Sequence, residues 1–80
     1  MKALGYTKAA RRQWRNLPVK VRKRIDAALD RYAETGEGDV KALVNIGGAR
    51  LRVGDYRAIF VETEEEIEVL AVGHRKDIYR

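Results

Sequence analysis

Two hydrophobic rhythms divide the chain. In the first half apolar residues recur at helical spacing, and in the second they alternate or run together. Lys2 to Tyr6 reads as a short strand, with Ala3, Leu4 and Tyr6 apolar. Thr7 is placed to cap a helix from Lys8 to about Asn16, where Ala10, Trp14 and Leu17 share one face and Arg11, Arg12 and Arg15 the other. Pro18 then opens a second helix, Val19 to about Thr35, whose inner positions are Val21, Ile25, Ala28, Leu29 and Tyr32. Gly36 is suited to end it in a left-handed conformation. Asp39 to Gly48 reads as a connector with enough apolar residues (Val40, Ala42, Leu43, Val44 and Ile46) to be pinned to the core.

The second half reads as two linked hairpins. The first runs from about Ala49 to Thr63 and turns at Gly54-Asp55, which suits a type II′ geometry. That register opposes Val53 to Tyr56 and Arg52 to Arg57. Leu51, Val53, Tyr56, Ala58 and Phe60 then line one face, and Arg50, Arg52 and Arg57 the other, which is expected to stay open. Glu62 to Glu66 forms a solvated turn. Ile67 to Val72 is nearly continuously apolar, implying a central strand buried on both faces, and Gly73 releases a tail from His74 to Arg80. The order β-α-α-β-β-β gives a single α+β domain over residues 1–80: an N-terminal strand and a two-helix hairpin packed on a small, mostly antiparallel sheet.

Opposed like charges on a sheet are mildly destabilising, so three arginines on one face are costly unless an anion sits among them. Guanidinium forks match phosphate oxygens in a bidentate way. The competing reading is a solvated face whose arginines pair with nearby glutamates.

Charge supports a polyanionic partner. The 80 residues hold 17 Lys+Arg against 12 Asp+Glu, a net +5. Ten basic and three acidic side chains fall in residues 1–35 (net +7), so the helical half carries the surplus. This favours RNA, DNA or an acidic protein over a membrane, since the helices lack a broad apolar face with aromatic anchors. The chain has no cysteine and one histidine, which leaves no disulfide framework and makes structural zinc implausible. Neither a signal-peptide core nor a membrane-length apolar run is present, pointing to a cytoplasmic protein. Trp14 suits a packing anchor better than a base-stacking platform.

No nucleophile–base pair, P-loop spacing or metal-ligand cluster can be assembled. The ionisable groups able to converge are Arg50, Arg52, Arg57, His74, Arg75, Lys76 and Tyr79. Such a set serves RNA cleavage, because RNA supplies its own 2′-hydroxyl nucleophile. Arginines would stabilise the phosphorane, while His74 or Tyr79 would handle protons. A free tyrosine has a pKa of about 10, so clustered cations are needed to make Tyr79 a base.

GDYRAIF followed by VLAVGHRKDIYR resembles the C-terminal half of the RelE/ParE superfamily, the toxins of type II toxin–antitoxin pairs. The segment AARRQWRNLPVKVRKRIDAALDRY resembles its helical hairpin, so the likeness spans essentially the whole chain. It implies a RelE-type mRNA endonuclease acting in the ribosomal 30S A site, without a cofactor and held inactive in a hetero-oligomer with a cognate antitoxin. By motif position, the resemblance assigns Arg57 and Arg75 to the phosphate and leaving group and Tyr79 to the base for the 2′-hydroxyl. Arg50 takes the place of one catalytic-site lysine, Gly48 that of the other, and His74 is an alternative proton carrier. Arg52 and Lys76 would assist in binding substrate. The rival within the superfamily is a ParE-type gyrase inhibitor without nuclease chemistry; ParE-like proteins generally lack the Arg57, Arg75 and Tyr79 set. A non-catalytic RNA-binding module is the third reading, resting on charge alone.

Overall fold

The computed structural model describes residues 1–44 and 47–78. Strand β1 (Ala3–Tyr6) leads into α1 (Lys8–Arg15) and α2 (Val19–Thr35). Then follow β2 (Val40–Ala42), β3 (Ala49–Val53), β4 (Tyr56–Glu62), β5 (Glu66–His74) and a single turn of helix, α3 (Arg75–Ile78). The helix boundaries follow local chemistry. Thr7 Oγ1 accepts the Ala10 N–H at 3.1 Å at the start of α1. Pro18 sits at the N-cap of α2, and Gly36 closes that helix with φ +76°.

The sheet order is β1-β5-β4-β3-β2, parallel only between β1 and β5. This is the expected α+β architecture with one strand added. Val40–Ala42 lies within the segment read as a connector, yet it pairs antiparallel with Ala49–Leu51 as an edge strand. Val40 packs on the core, but Val44 is 97% exposed, so the expectation that it is pinned inside fails. Ile46 lies outside the described residues.

One layer of core separates helices from sheet. Ala10, Ile25, Leu29 and Ala33 face Leu51, Ala58, Phe60, Ile67, Val69 and Val72, with Tyr32 tilted against Phe60 at 5.3 Å between centroids. Fully burying a side chain such as Phe60 contributes roughly 1.5–3 kcal/mol. Trp14 is also a packing anchor. Its Nε1 donates to Asp26 Oδ1 at 2.9 Å, as does the Tyr6 hydroxyl at 3.2 Å. Burial, then the Asp26 charge, raises the Tyr6 pKa.

A bulge explains the long apolar run of β5. Ile59 pairs with Ala71 but Phe60 with Val69, leaving Leu70 as the extra residue. The slip lets Ile67, Val69 and Val72 all point at the helices, although strict alternation would send Val72 outward. The strand is therefore interior but buried mainly on one face, not on both. Beyond the end of β1, side chains from its C-terminal flank continue the pairing. Thr7 Oγ1 donates to Leu70 O at 3.3 Å, and Gln13 Oε1 accepts from Val72 N at 2.9 Å. Strand β5 does not stop at Gly73; it runs on to His74.

The far end of the sheet is tied by Glu62. It accepts from Lys2 Nζ at 2.6 Å and from the Tyr32 hydroxyl at 2.7 Å. The Lys2 bond outweighs burial and holds the Glu62 carboxyl below its ordinary 4.5, whereas burial and the bond to Glu62 push Tyr32 up to about 12.

Two outcomes follow from these contacts. Gly54 takes φ +61° and a β-carbon there would lie 3.0 Å from Arg24 Nη2. Gly54→Ala should therefore lower unfolding free energy by about 1–2 kcal/mol in urea titration. Because the Glu62 pKa is depressed on folding, its contribution is complete above pH 4.5 and is lost as pH falls through the lower folded value. The Tyr32 contribution is complete below pH 10 and is lost as pH rises through about 12. Thermal melts across pH should show the acid loss flattened in Glu62→Gln.

Candidate functional site

The turn at Gly54-Asp55 gathers cations from three elements. Val53 pairs with Tyr56, so the loop has two residues. Gly54 has positive φ and Asp55 does not, as a type II′ turn requires. From β4, Arg57 Nη1 donates to Gly54 O at 2.8 Å and to Tyr56 O at 2.9 Å. From the start of α3, the Arg75 N–H donates to Asp55 O at 2.8 Å, and Arg75 Nε stands 4.0 Å from Asp55 Oδ1. That ion pair is exposed on both sides and contributes little. From α2, the Arg24 guanidinium lies over Gly54.

The predicted grouping holds for part of the set. Arg50, Arg52 and Arg57 share the face away from the helices, since Arg52 pairs with Arg57 and Arg50 with Ile59. That face is not open throughout. Arg52 is exposed and Arg50 partly covered, but Arg57 is only 7% and Ile59 only 8% exposed. The expectation that Arg57 stands in solvent is thus corrected. Its chain bends back onto the turn carbonyls, and among the described residues its Nε has no hydrogen-bond partner. A buried cation held by carbonyls, with no ion pair to a carboxylate among the described residues, is electrostatically costly until an anion arrives.

His74 does not join this group. It pairs with Tyr56, whose ring faces the helices, and the two rings meet edge to face at 5.2 Å. Both line a cavity of about 370 Å³ with Gln13, Asn16, Leu17 and Pro18 at the α1–α2 corner. Arg57, paired with Gly73, points the opposite way. Lys76 is exposed on α3. Tyr79 lies outside the described residues.

Two further cations stand near the site without being assigned to it by the sequence. Lys41 pairs with Arg50 across β2–β3 and so extends the arginine face. Nothing in the three residues of β2 announces a strand. Arg24 belongs to a basic run on α2 with Lys20, Arg22 and Lys23, which reads as a solvated face or a general attachment to nucleic acid, and only the packing of that helix over the hairpin selects it from its neighbours. Among the described residues, no three His, Cys, Asp or Glu side chains are grouped to hold a metal ion. The site offers positive charge, hydrogen-bond donors and a rigid turn: means to grip and stabilise a phosphate.

Comparison with known proteins places this geometry in a family. A family model described as the ParE toxin of the type II toxin–antitoxin system parDE matches residues 4–79. No curated protein sequence matches the chain significantly. The RelB–RelE antitoxin–toxin complex from Methanococcus jannaschii contains a chain 25% identical, with TM-score 0.76 over 92% of this chain and 93% of that one. The RelBE2 toxin–antitoxin complex of Mycobacterium tuberculosis gives 28% identity and TM-score 0.67 over 95% and 93%. The Escherichia coli DinJ–YafQ complex gives TM-score 0.80 over 99% and 98% at 9% identity, a likeness of fold alone. With 76 of its 80 residues inside the family model and RelE-type toxins as its structural neighbours, the chain belongs to the ParE toxin family of type II toxin–antitoxin systems and has the RelE-like fold.

Proposed function

We propose that this toxin is a metal-independent endoribonuclease that cuts mRNA in the ribosomal A site and is neutralised by a cognate antitoxin. The observation that carries the reading is Arg57: a guanidinium 93% buried, fastened to carbonyls at the turn, with no ion pair to a carboxylate among the described residues. Arg75 reaches the same turn from the start of α3. In the proposed reaction the 2′-oxygen attacks the adjacent phosphorus and the bond to the 5′-oxygen breaks, leaving a cyclic phosphate. Arg57 carries the charge that builds on the phosphorane, and Arg75 donates toward the departing 5′-oxygen. Tyr79 takes the 2′-hydroxyl proton. Arg50, Arg52 and Lys76 hold the flanking backbone, joined by Lys41. His74, on the other side of β5, has no part in proton transfer.

The toxin–antitoxin complexes among the structural neighbours support an antitoxin partner. An acidic or amphipathic antitoxin segment has a ready surface in the basic helices.

A second reading has its own support, since the matching family model is described as a ParE toxin. On that reading the same domain inhibits DNA gyrase by binding. Induction in cells separates the two. Rapid loss of translation with codon-phased mRNA ends is expected here; filamentation with DNA-damage signalling and intact mRNA would favour the gyrase target.

The site itself is tested by Arg57→Met. Removing a buried cation that has no counter-charge among the described residues should leave the thermal midpoint unchanged or raised. Cleavage of ribosome-bound mRNA should fall by about 100-fold or more. Arg75→Ala should lose activity similarly while remaining folded. Folded variants that cleave as well as wild type would remove both residues from the site.

A further inference from the structure

The geometry points to His74 as the positioning residue of the site, capping α3 through its bare Nδ1 and so holding Arg75 at the hairpin turn. The inference rests on the nuclease reading only for what Arg75 does once held there. His74 Nδ1 accepts the Lys76 backbone N–H at 3.1 Å. A backbone N–H can only donate, so Nδ1 presents its lone pair and, in the neutral ring, the proton resides on Nε2. The bond runs from the residue preceding α3 to its second helical position, the pattern of a side-chain N-cap. Asparagine or serine ordinarily fills this place, and here an imidazole does.

The ring is fixed on its other side too. It packs edge to face against Tyr56 at 5.2 Å with an interplanar angle of 81°. Tyr56 is the first residue of β4, directly after the turn that receives Arg75. The ring therefore joins the end of β5 to the hairpin while its nitrogen orders the turn of chain that presents Arg75. That turn is short and shallow: α3 has four residues, none buried, and the Arg75–Asp55 ion pair is exposed. Since His74 faces away from Arg57, this role needs no contact with substrate.

The test compares His74→Asn, which keeps a capping oxygen, with His74→Phe, which keeps the ring against Tyr56 but has no acceptor. Amide exchange of Lys76 by NMR, the ring nitrogen shifts of wild-type His74, and cleavage of ribosome-bound mRNA are measured on the full chain. Wild type should show Nδ1 as a hydrogen-bond acceptor. His74→Phe should speed Lys76 exchange and lower kcat by about fivefold, the usual scale of a lost cap. His74→Asn should restore both to within about twofold. An asparagine variant with a protected Lys76 amide but activity as low as the phenylalanine variant would make His74 a proton carrier and overturn the proposal. Unchanged Lys76 exchange in His74→Phe would overturn it equally. If wild type cuts no mRNA, the nuclease reading fails, while the exchange and ring-nitrogen measurements still decide whether His74 caps α3.

Discussion

A two-residue reversal at Gly54-Asp55 governs the molecule. Its conformation, open to glycine at the first position, sets the register between β3 and β4. That register decides which side chains enter the core and which form the arginine face. Its two carbonyls then receive Arg57 and Arg75, and its bare α-carbon leaves room for Arg24. A slip of one residue would send Leu51, Ala58 and Phe60 to solvent and the arginines inward. Core and site thus share one constraint.

The placement of Arg57 works against stability. Roughly 60% of the unfolded surface of a chain this small becomes buried, so its margin is narrow. Within that margin it retains a cation in a shielded place with one N–H unmatched among the described residues. The burial that makes the guanidinium costly also strengthens its field, because little water screens it. Preorganised donors act in this way: their orientation is fixed before a phosphate arrives.

What was legible in the sequence was local. The helices announce themselves through Thr7, Pro18 and Gly36 and through the spacing of Ile25 and Leu29; the hairpin does so through Gly54-Asp55. What was not legible depends on partners distant in the chain. Val40–Ala42 becomes a strand only because β3 lies beside it. The bulge at Leu70 depends on how β4 meets β5, and without it the apolar run seemed to demand cover on both faces. Alternation placed Arg57 on the correct face but carries no information about what shields it. His74 was grouped with the arginines because Gly73 read as the end of a strand; continuation of pairing through Tyr56 turns the imidazole toward the helices. The resemblance to RelE/ParE toxins conveyed the family, which the comparison bears out.

The parallel pairing of β1 with β5 has a consequence for synthesis. Ala3–Tyr6 is made well before its hydrogen-bonding partner, Glu66–Val69, which follows both helices and the central hairpin in the chain. Until that late strand emerges, the opening strand has no neighbour in the sheet, and the Thr7 and Gln13 side chains have no β5 backbone to engage. A growing chain can wind its helices and form the central hairpin, but the sheet closes only after β5 has been made. The five-stranded sheet is therefore completed on both sides of β5 at once, with that strand as the piece that the earlier ones wait for.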